Sequence, residues 1–195
     1  MSVSRDIIAR GDEIDPIMSD WRTKYSGQPE HTNFNKIAKN IGHLKDVLKP
    51  GDSLLDVGCN QGFTYGLIGH DPYCGIDISQ EYVEQARRRH PAVSFSVCDL
   101  FDLEGSWDVV FCSRVLIHVA HFELAMKKLL SVAKRAVVIV VPIGGDECIV
   151  EDYQGRQSYY RTFSRGTLER AGPHEIKPGD LYSTVIYGPA RSPSS

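Results

Sequence analysis

The sequence predicts a single α/β domain whose mostly parallel sheet ends in an antiparallel hairpin. Three observations predict it. From Ser53 onward, short apolar runs alternate with helical patterns, the mark of successive βα units. The run AVVIVV at Ala136–Val141 has no polar alternation, so both of its faces should be covered, as those of parallel strands are. A length of 195 residues suits one domain, and one apolar core can carry a fold of that size without disulfides or metals.

The elements can be justified in chain order. Residues 1–50 form an N-terminal helical segment. Its first part, with Ile7, Ile8, Ile14, Ile17, Met18 and Trp21, allows one or two short helices, and Pro16 can open the second. The stretch Asn35 to Leu48 is clearer, because Ile37, Ile41, Leu44 and Leu48 recur every three or four residues before Pro50-Gly51 stops the helix. Residues 51–188 hold the core. Strands are expected at Ser53–Val57, Tyr73–Asp77, Ser94–Asp99, Asp108–Cys112 and Ala136–Val141, with helices at Phe63–Gly69, Gln80–Arg89 and His121–Ala133 between them. Ser79 caps the Gln80–Arg89 helix, and Arg87, Arg88 and Arg89 sit at its negative end, where helix electrostatics explains them without a phosphate ligand. Gly144-Gly145 then opens a polar, Tyr-rich segment up to Phe163. A short helix at Ser164–Gly172 follows, and then a hairpin of His174–Ile176 with Tyr182–Tyr187. The tail, residues 189–195, is small, polar and Pro-rich, and is expected to be disordered.

Composition excludes several roles. Lys+Arg 22 against Asp+Glu 25 gives a net charge of -3, which is not the footprint of a dedicated nucleic-acid binder. No apolar run approaches the length of a membrane span and the N-terminus lacks a signal-peptide pattern, so a soluble, cytoplasmic protein is expected. The five cysteines (Cys59, Cys74, Cys98, Cys112, Cys148) contain no C-x-x-C pair, and each is expected in the core as a small apolar residue. No metal site is expected.

The strongest chemical signal is LLDVGCNQGFT, Leu54 to Thr64, at the exit of the first strand. Glycine there permits a tight turn and a close approach by a ligand, and ligands of open α/β sheets sit beyond the carboxyl ends of the strands. Asp77 ends the second strand in GIDIS, where a carboxylate suits a two-point grip on vicinal ribose hydroxyls. Asp99 ends the third strand in SVCDL, and the three acids recur at near-equal spacing.

On these motifs the chain resembles the class I S-adenosylmethionine (SAM)-dependent methyltransferases over about residues 35–188. The resemblance implies a Rossmann-like three-layer sandwich with a seven-stranded sheet whose last strand is antiparallel. It also implies SAM as cofactor. Asp56, Gly58, Asn60 and Gly62 would form the loop under its methionine part, and Asp77 would hold its ribose hydroxyls. Ile78 would flank the adenine, and Asp99 would meet the adenine amino group with Leu100 beside it. Trp107–Val119 resembles the fourth-strand motif, in which Ser113 and Arg114 would line the cofactor edge. The N-terminal segment, with Tyr25 and His31, would fold over the cofactor as a lid. One departure from the usual G-x-G-x-G is Asn60, which enters left-handed conformations readily enough to keep the turn.

Each of these residues also has a structural reading. Asp56 can accept loop N–H bonds and Asp99 can cap a turn. His118 and His31 are candidate general bases, although a histidine placed like His118 more often packs or caps. Tyr25, Tyr159, Tyr160 and Arg161 are candidate substrate contacts, or the small core of a lid. The expected function is methyl transfer to an acceptor, O- or N-linked and most simply a small molecule. Two classes compete with it: an RNA or protein methyltransferase, and a SAM-binding subunit without catalysis. A nicotinamide oxidoreductase would need G-x-G-x-x-G, and this chain has Asn60 and Phe63 in the second and third glycine positions. No N/D-P-P-Y/F motif or DNA-recognition module is visible.

Overall fold

The parallel strands expected from Ser53 onward form one seven-stranded sheet in a computed structural model that describes residues 34–153, 156–179 and 181–188. Its strands are β1 (Leu54–Val57), β2 (Tyr73–Asp77), β3 (Ser94–Val97), β4 (Trp107–Ser113), β5 (Ala133–Val141), β8 (His174–Lys177) and β9 (Ser183–Tyr187). Their order across the sheet is β3-β2-β1-β4-β5-β9-β8. Neighbours from β3 to β5 run parallel, and β9 runs antiparallel to both β5 and β8. The expected terminal hairpin is therefore β8–β9, and the expected N-terminal lid helices and tail lie outside the described residues.

Helices cover both faces. α1 (Phe34–Val47), α2 (Phe63–Ile68) and α3 (Gln80–Arg89) pack on one side, while α4 (Phe122–Val132) and α5 (Arg165–Arg170) pack on the other. The apolar run of β5 explains the layering. Val138 and Val140 join Ile41 and Leu44 of α1, Val83 and Ala86 of α3, and Phe111 in one core. Val137, Ile139 and Val141 face the opposite way, into a core with Phe122, Met126 and Leu129 of α4 and Leu168 of α5. Successive β residues point to opposite faces, so a strand without polar residues must be buried twice.

Two of the three arginines at the basic end of α3 are structural. Arg87 donates from Nε and Nη2 to the Phe95 carbonyl, at 3.0 and 2.7 Å, and Arg89 donates to the Gln61 carbonyl at 2.9 Å while lying over the Phe63 ring. The Tyr-rich segment after β5, to which the sequence assigned no element, is a two-stranded antiparallel ribbon, β6 (Cys148–Tyr153) with β7 (Arg156–Arg161). One expectation needs correction. Cys148 lies on the ribbon and is exposed, so it is no core residue; Cys59 and Cys112 are buried, and Cys74 and Cys98 partly so.

Candidate active site

Parallel strands bring their carboxyl ends to one edge. The Asp56–Gly62 loop after β1, Asp77 and Ile78 at the end of β2, Asp99 after β3 and Ser113–His118 after β4 share that edge. The β1 loop is a run of left-handed residues, with φ of 74° at Gly58, 52° at Asn60 and 76° at Gly62. Asn60 thus adopts the conformation that keeps the turn, and its Oδ1 accepts the Gln61 N–H at 2.7 Å. Glycine at 58 is also required by packing, since a Cβ there would lie 2.1 Å from Val115 Cγ2.

Asp77 joins the β1 loop to β2. Its Oδ2 accepts the Asn60 N–H and its Oδ1 the Ser79 N–H, both at 2.9 Å. Burial pushes its carboxyl up to about 6, against those backbone N–H groups, which favour the ionised form. The Ile78 backbone also favours the ionised form, and a carboxylate, with about four acceptor sites, can accept further hydrogen bonds. Asp56 faces inward, 1% exposed, and accepts the Tyr73 hydroxyl at 2.6 Å. Burial likewise raises it to about 6; hydrogen bonds from Tyr73 and Thr64 oppose the shift, and the Asp77 charge adds to it.

Beside Asp77, a cleft of about 320 Å³ is lined by Ile78, Val97, Cys98, Asp99 and Asp102. Asp99 also caps a 3₁₀ turn at Leu100–Asp102, its Oδ1 accepting the Phe101 N–H at 2.9 Å. Leu100 points away from this cleft into the core. After β4, Arg114 has a φ of 59°, its N–H bonds the Val140 carbonyl at 2.9 Å, and its guanidinium lies 5.8 Å from the Tyr182 ring centroid. Ser113 pairs in register with Val140.

His118 ends a second 3₁₀ turn, Leu116–His118, and its Nδ1 lies 2.7 Å from the Tyr159 carbonyl of the ribbon. A carbonyl only accepts, so Nδ1 carries the proton and the neutral ring has its lone pair on Nε2. Arg161 donates to the Ala120 carbonyl at 3.0 Å, and Tyr160 packs on the core. The structure thus groups His118, Tyr159, Tyr160 and Arg161, while Tyr25 and His31 lie outside the described residues. Among the described residues no three His, Cys, Asp or Glu side chains form a metal-binding group, and no helix is long and apolar enough to cross a membrane.

Sequence reasoning missed Tyr73, which answers Asp56, and Cys98 and Asp102 in the cleft. It also missed Gln61, whose carboxamide is buried with no hydrogen-bond partner at either Nε2 or Oε1. Alternation along β2 places Tyr73 on the same face as Asp77, which was the available signal for Tyr73.

The methyltransferase-domain family matches residues 48–174. The chain belongs to that family. It is a class I, Rossmann-like, SAM-dependent methyltransferase domain. Among solved structures, DhpI in complex with SAH (S-adenosylhomocysteine) superposes with a TM-score of 0.69 at 18% identity, covering 97% of this chain and 100% of that one. The 2-methyl-6-phytyl-1,4-hydroquinone methyltransferase of Synechocystis is 33% identical over 105 residues, 49% of this methyltransferase chain and 33% of its own. The ribosomal protein L11 methyltransferase of Burkholderia vietnamiensis is 39% identical over 74 residues, 34% of this chain and 24% of its own. The methyltransferase chain thus aligns with between a quarter and a third of these curated relatives.

Proposed function

We propose that this methyltransferase moves the methyl group of SAM to a small-molecule acceptor, at oxygen or nitrogen, by direct in-line displacement. The observation that carries the reading is Asp77. Backbone N–H groups, those of Asn60 and Ser79 foremost, fix its carboxylate at the end of β2, where it suits the vicinal hydroxyls of a ribose. The cleft next to it offers apolar flanks at Ile78 and Val97 and a polar group at Asp99, a set that fits an adenine. Gly58, Asn60 and Gly62 supply the turn under the methionine part, with Asp56 and Tyr73 bracing it from below, and Ser113 and Arg114 border it on the β4 side.

When bound, SAM supplies a sulfonium methyl that is already electrophilic. The protein's own work is to align the acceptor and exclude water. His118, with its lone pair on Nε2, is the residue that takes a proton from a hydroxyl acceptor, and the ribbon with Tyr159, Tyr160 and Arg161 borders the acceptor side. Tyr25 is further proposed as a substrate contact and His31 as an alternative base. A small acceptor is favoured by the net charge of -3 and by the hydroquinone named for the Synechocystis relative.

Isothermal titration with SAM, SAH and NAD tests the cofactor. SAM and SAH should bind, and Asp77→Ala should weaken both about 100-fold while leaving the fold intact, because hydrogen bonds to a charged group are the strong ones. Binding of NAD with neither sulfur ligand overturns the reading. Methyl-tritiated SAM incubated with cell extract should label the small-molecule fraction; label in protein or RNA instead moves the acceptor class.

A further inference from the structure

Every N–H group from Gly58 to Gly62 in the β1 loop is answered. Those of Gly58 and Cys59 donate to the Ile76 carbonyl at 2.8 and 2.9 Å, that of Asn60 to Asp77, that of Gln61 to Asn60 Oδ1, and that of Gly62 to the Cys59 carbonyl at 3.0 Å. These bonds come from the end of β2 and from the loop itself. The carbonyls at the far end of the loop are held from α3. Arg89 Nη1 donates to the Gln61 carbonyl at 2.9 Å. His90 Nε2 lies 3.0 Å from the Gly62 carbonyl, which also receives the Gly66 N–H of α2 at 3.3 Å. A carbonyl only accepts, so His90 carries its proton on Nε2.

Two consecutive residues at the end of α3 thus grip two consecutive carbonyls of the loop. Packing fixes both side chains. The Arg89 guanidinium lies 4.3 Å from the Phe63 ring centroid, and the His90 ring stacks on Phe95 with its edge contact to Tyr65 at 5.0 Å. The start of α3 is fixed too, because its N-cap Ser79 donates its N–H to Asp77 Oδ1. A closed ring results. It runs from Asp77 along α3 to Gln61 and Gly62, and back through the Asn60 N–H to Asp77.

The loop needs such a grip. Glycine populates positive and negative φ about equally, so Gly62 does not by itself hold its φ of 76°. Turning the Gln61–Gly62 peptide over would carry the Gln61 carbonyl away from Arg89. A site that is competent only part of the time binds its ligand with affinity reduced by that fraction. We infer that Arg89 and His90 are positioning residues, which hold the β1 loop in its cofactor-binding shape. They act through the loop, and α3 makes the loop and the ribose carboxylate one rigid unit. The inference rests on the SAM reading, so its test separates the two.

Isothermal titration of the wild-type protein with SAH comes first, and failure to bind removes the SAM reading itself. With wild-type binding in hand, the pair Arg89→Met and His90→Phe keeps the stem over Phe63 and a ring against Phe95 but has no donor. It should weaken SAH about 10-fold, as expected of a loop competent about one-tenth of the time. The conservative pair Arg89→Lys and His90→Gln keeps a donor at each place and should bind within about threefold of wild type. Residues that only fasten α3 to the sheet would give a donor-free pair that melts lower with SAH affinity intact, and that result overturns the inference. Equal weakening by both pairs also overturns it, since packing and not the hydrogen bonds would then matter. Should the donor-free pair not fold, Arg89→Met alone, at a half-buried position, should cost about threefold in SAH affinity, and no loss overturns the inference.

Discussion

At the scale of single residues, two carboxylates sit where water cannot reach them well. Asp56 is 1% exposed and Asp77 9%, and burial lifts each from 3.8 to about 6. A carboxyl whose folded value is raised contributes stability below its unfolded value, and that contribution is lost as pH rises through the folded one. For these two the window runs from about pH 4 to just above pH 6. At pH 7.5 both are ionised in place, at a cost on the order of 3 kcal/mol each from about 1.4 kcal/mol per unit. The proposed function gives Asp77 a reason to stay: a carboxylate can accept ribose hydroxyls besides its backbone N–H groups, as a neutral side chain could not. Asp56→Asn isolates the effect, because the amide oxygen still accepts the Tyr73 hydroxyl but cannot ionise. The variant should melt above the wild type, and the gap should widen between pH 5 and pH 7.5. Parallel melting curves over that range would show that Asp56 does not titrate there.

At the scale of elements, the β4 turn and the ribbon act together. Two side chains reach across, His118 to the Tyr159 carbonyl and Arg161 to the Ala120 carbonyl. His118→Asn discriminates between a base and a spacer, because Asn Nδ2 can still donate to Tyr159 while Nε2 is gone. Methyl transfer to a hydroxyl acceptor should fall about 100-fold, the lower end for a lost general base, with SAH affinity unchanged and the ribbon amides equally protected from exchange. Full activity with faster ribbon exchange would make His118 a packing residue. The same elements show what was legible in the sequence. The βα units were readable because each strand is a short apolar run and each helix carries a cap or a stripe, as Ser79 and the Ile41–Leu44 pair do. The ribbon was not, because Ile149 and Val150 are adjacent and both about half exposed, which gives no alternation of buried and exposed positions to read there. In the candidate site, Asp77 and Asp99 announced themselves by position at strand ends. Tyr73 against Asp56 depends on packing across the β1–β2 pair, and the unpaired Gln61 amide on a complete set of hydrogen bonds. Alternation gives Tyr73 its face, but neither its partner across the strand pair nor the missing bonds of Gln61 are written in local sequence.

At the scale of the whole molecule, one sheet separates two cores, and the chain must return to it after the ribbon before the terminal hairpin can pair. Phe163 makes that return. Its N–H donates to the Pro142 carbonyl at 3.0 Å, its carbonyl accepts the Gly144 N–H at 2.9 Å, and it pairs with Ile143 as an isolated parallel bridge beside the end of β5. Its ring is fully buried against Phe122 of α4, with centroids 4.8 Å apart. The ribbon is therefore tied into the same core that holds α4 and α5, and the molecule should unfold as one unit. Phe163→Ala tests this. A fully buried phenylalanine truncated to alanine costs about 3–5 kcal/mol, or about 10 °C in melting temperature for a protein of this size. Differential scanning calorimetry should show one transition, shifted down as a whole. Were the ribbon a separate unit, the main transition would stay in place and a smaller, earlier one would split from it.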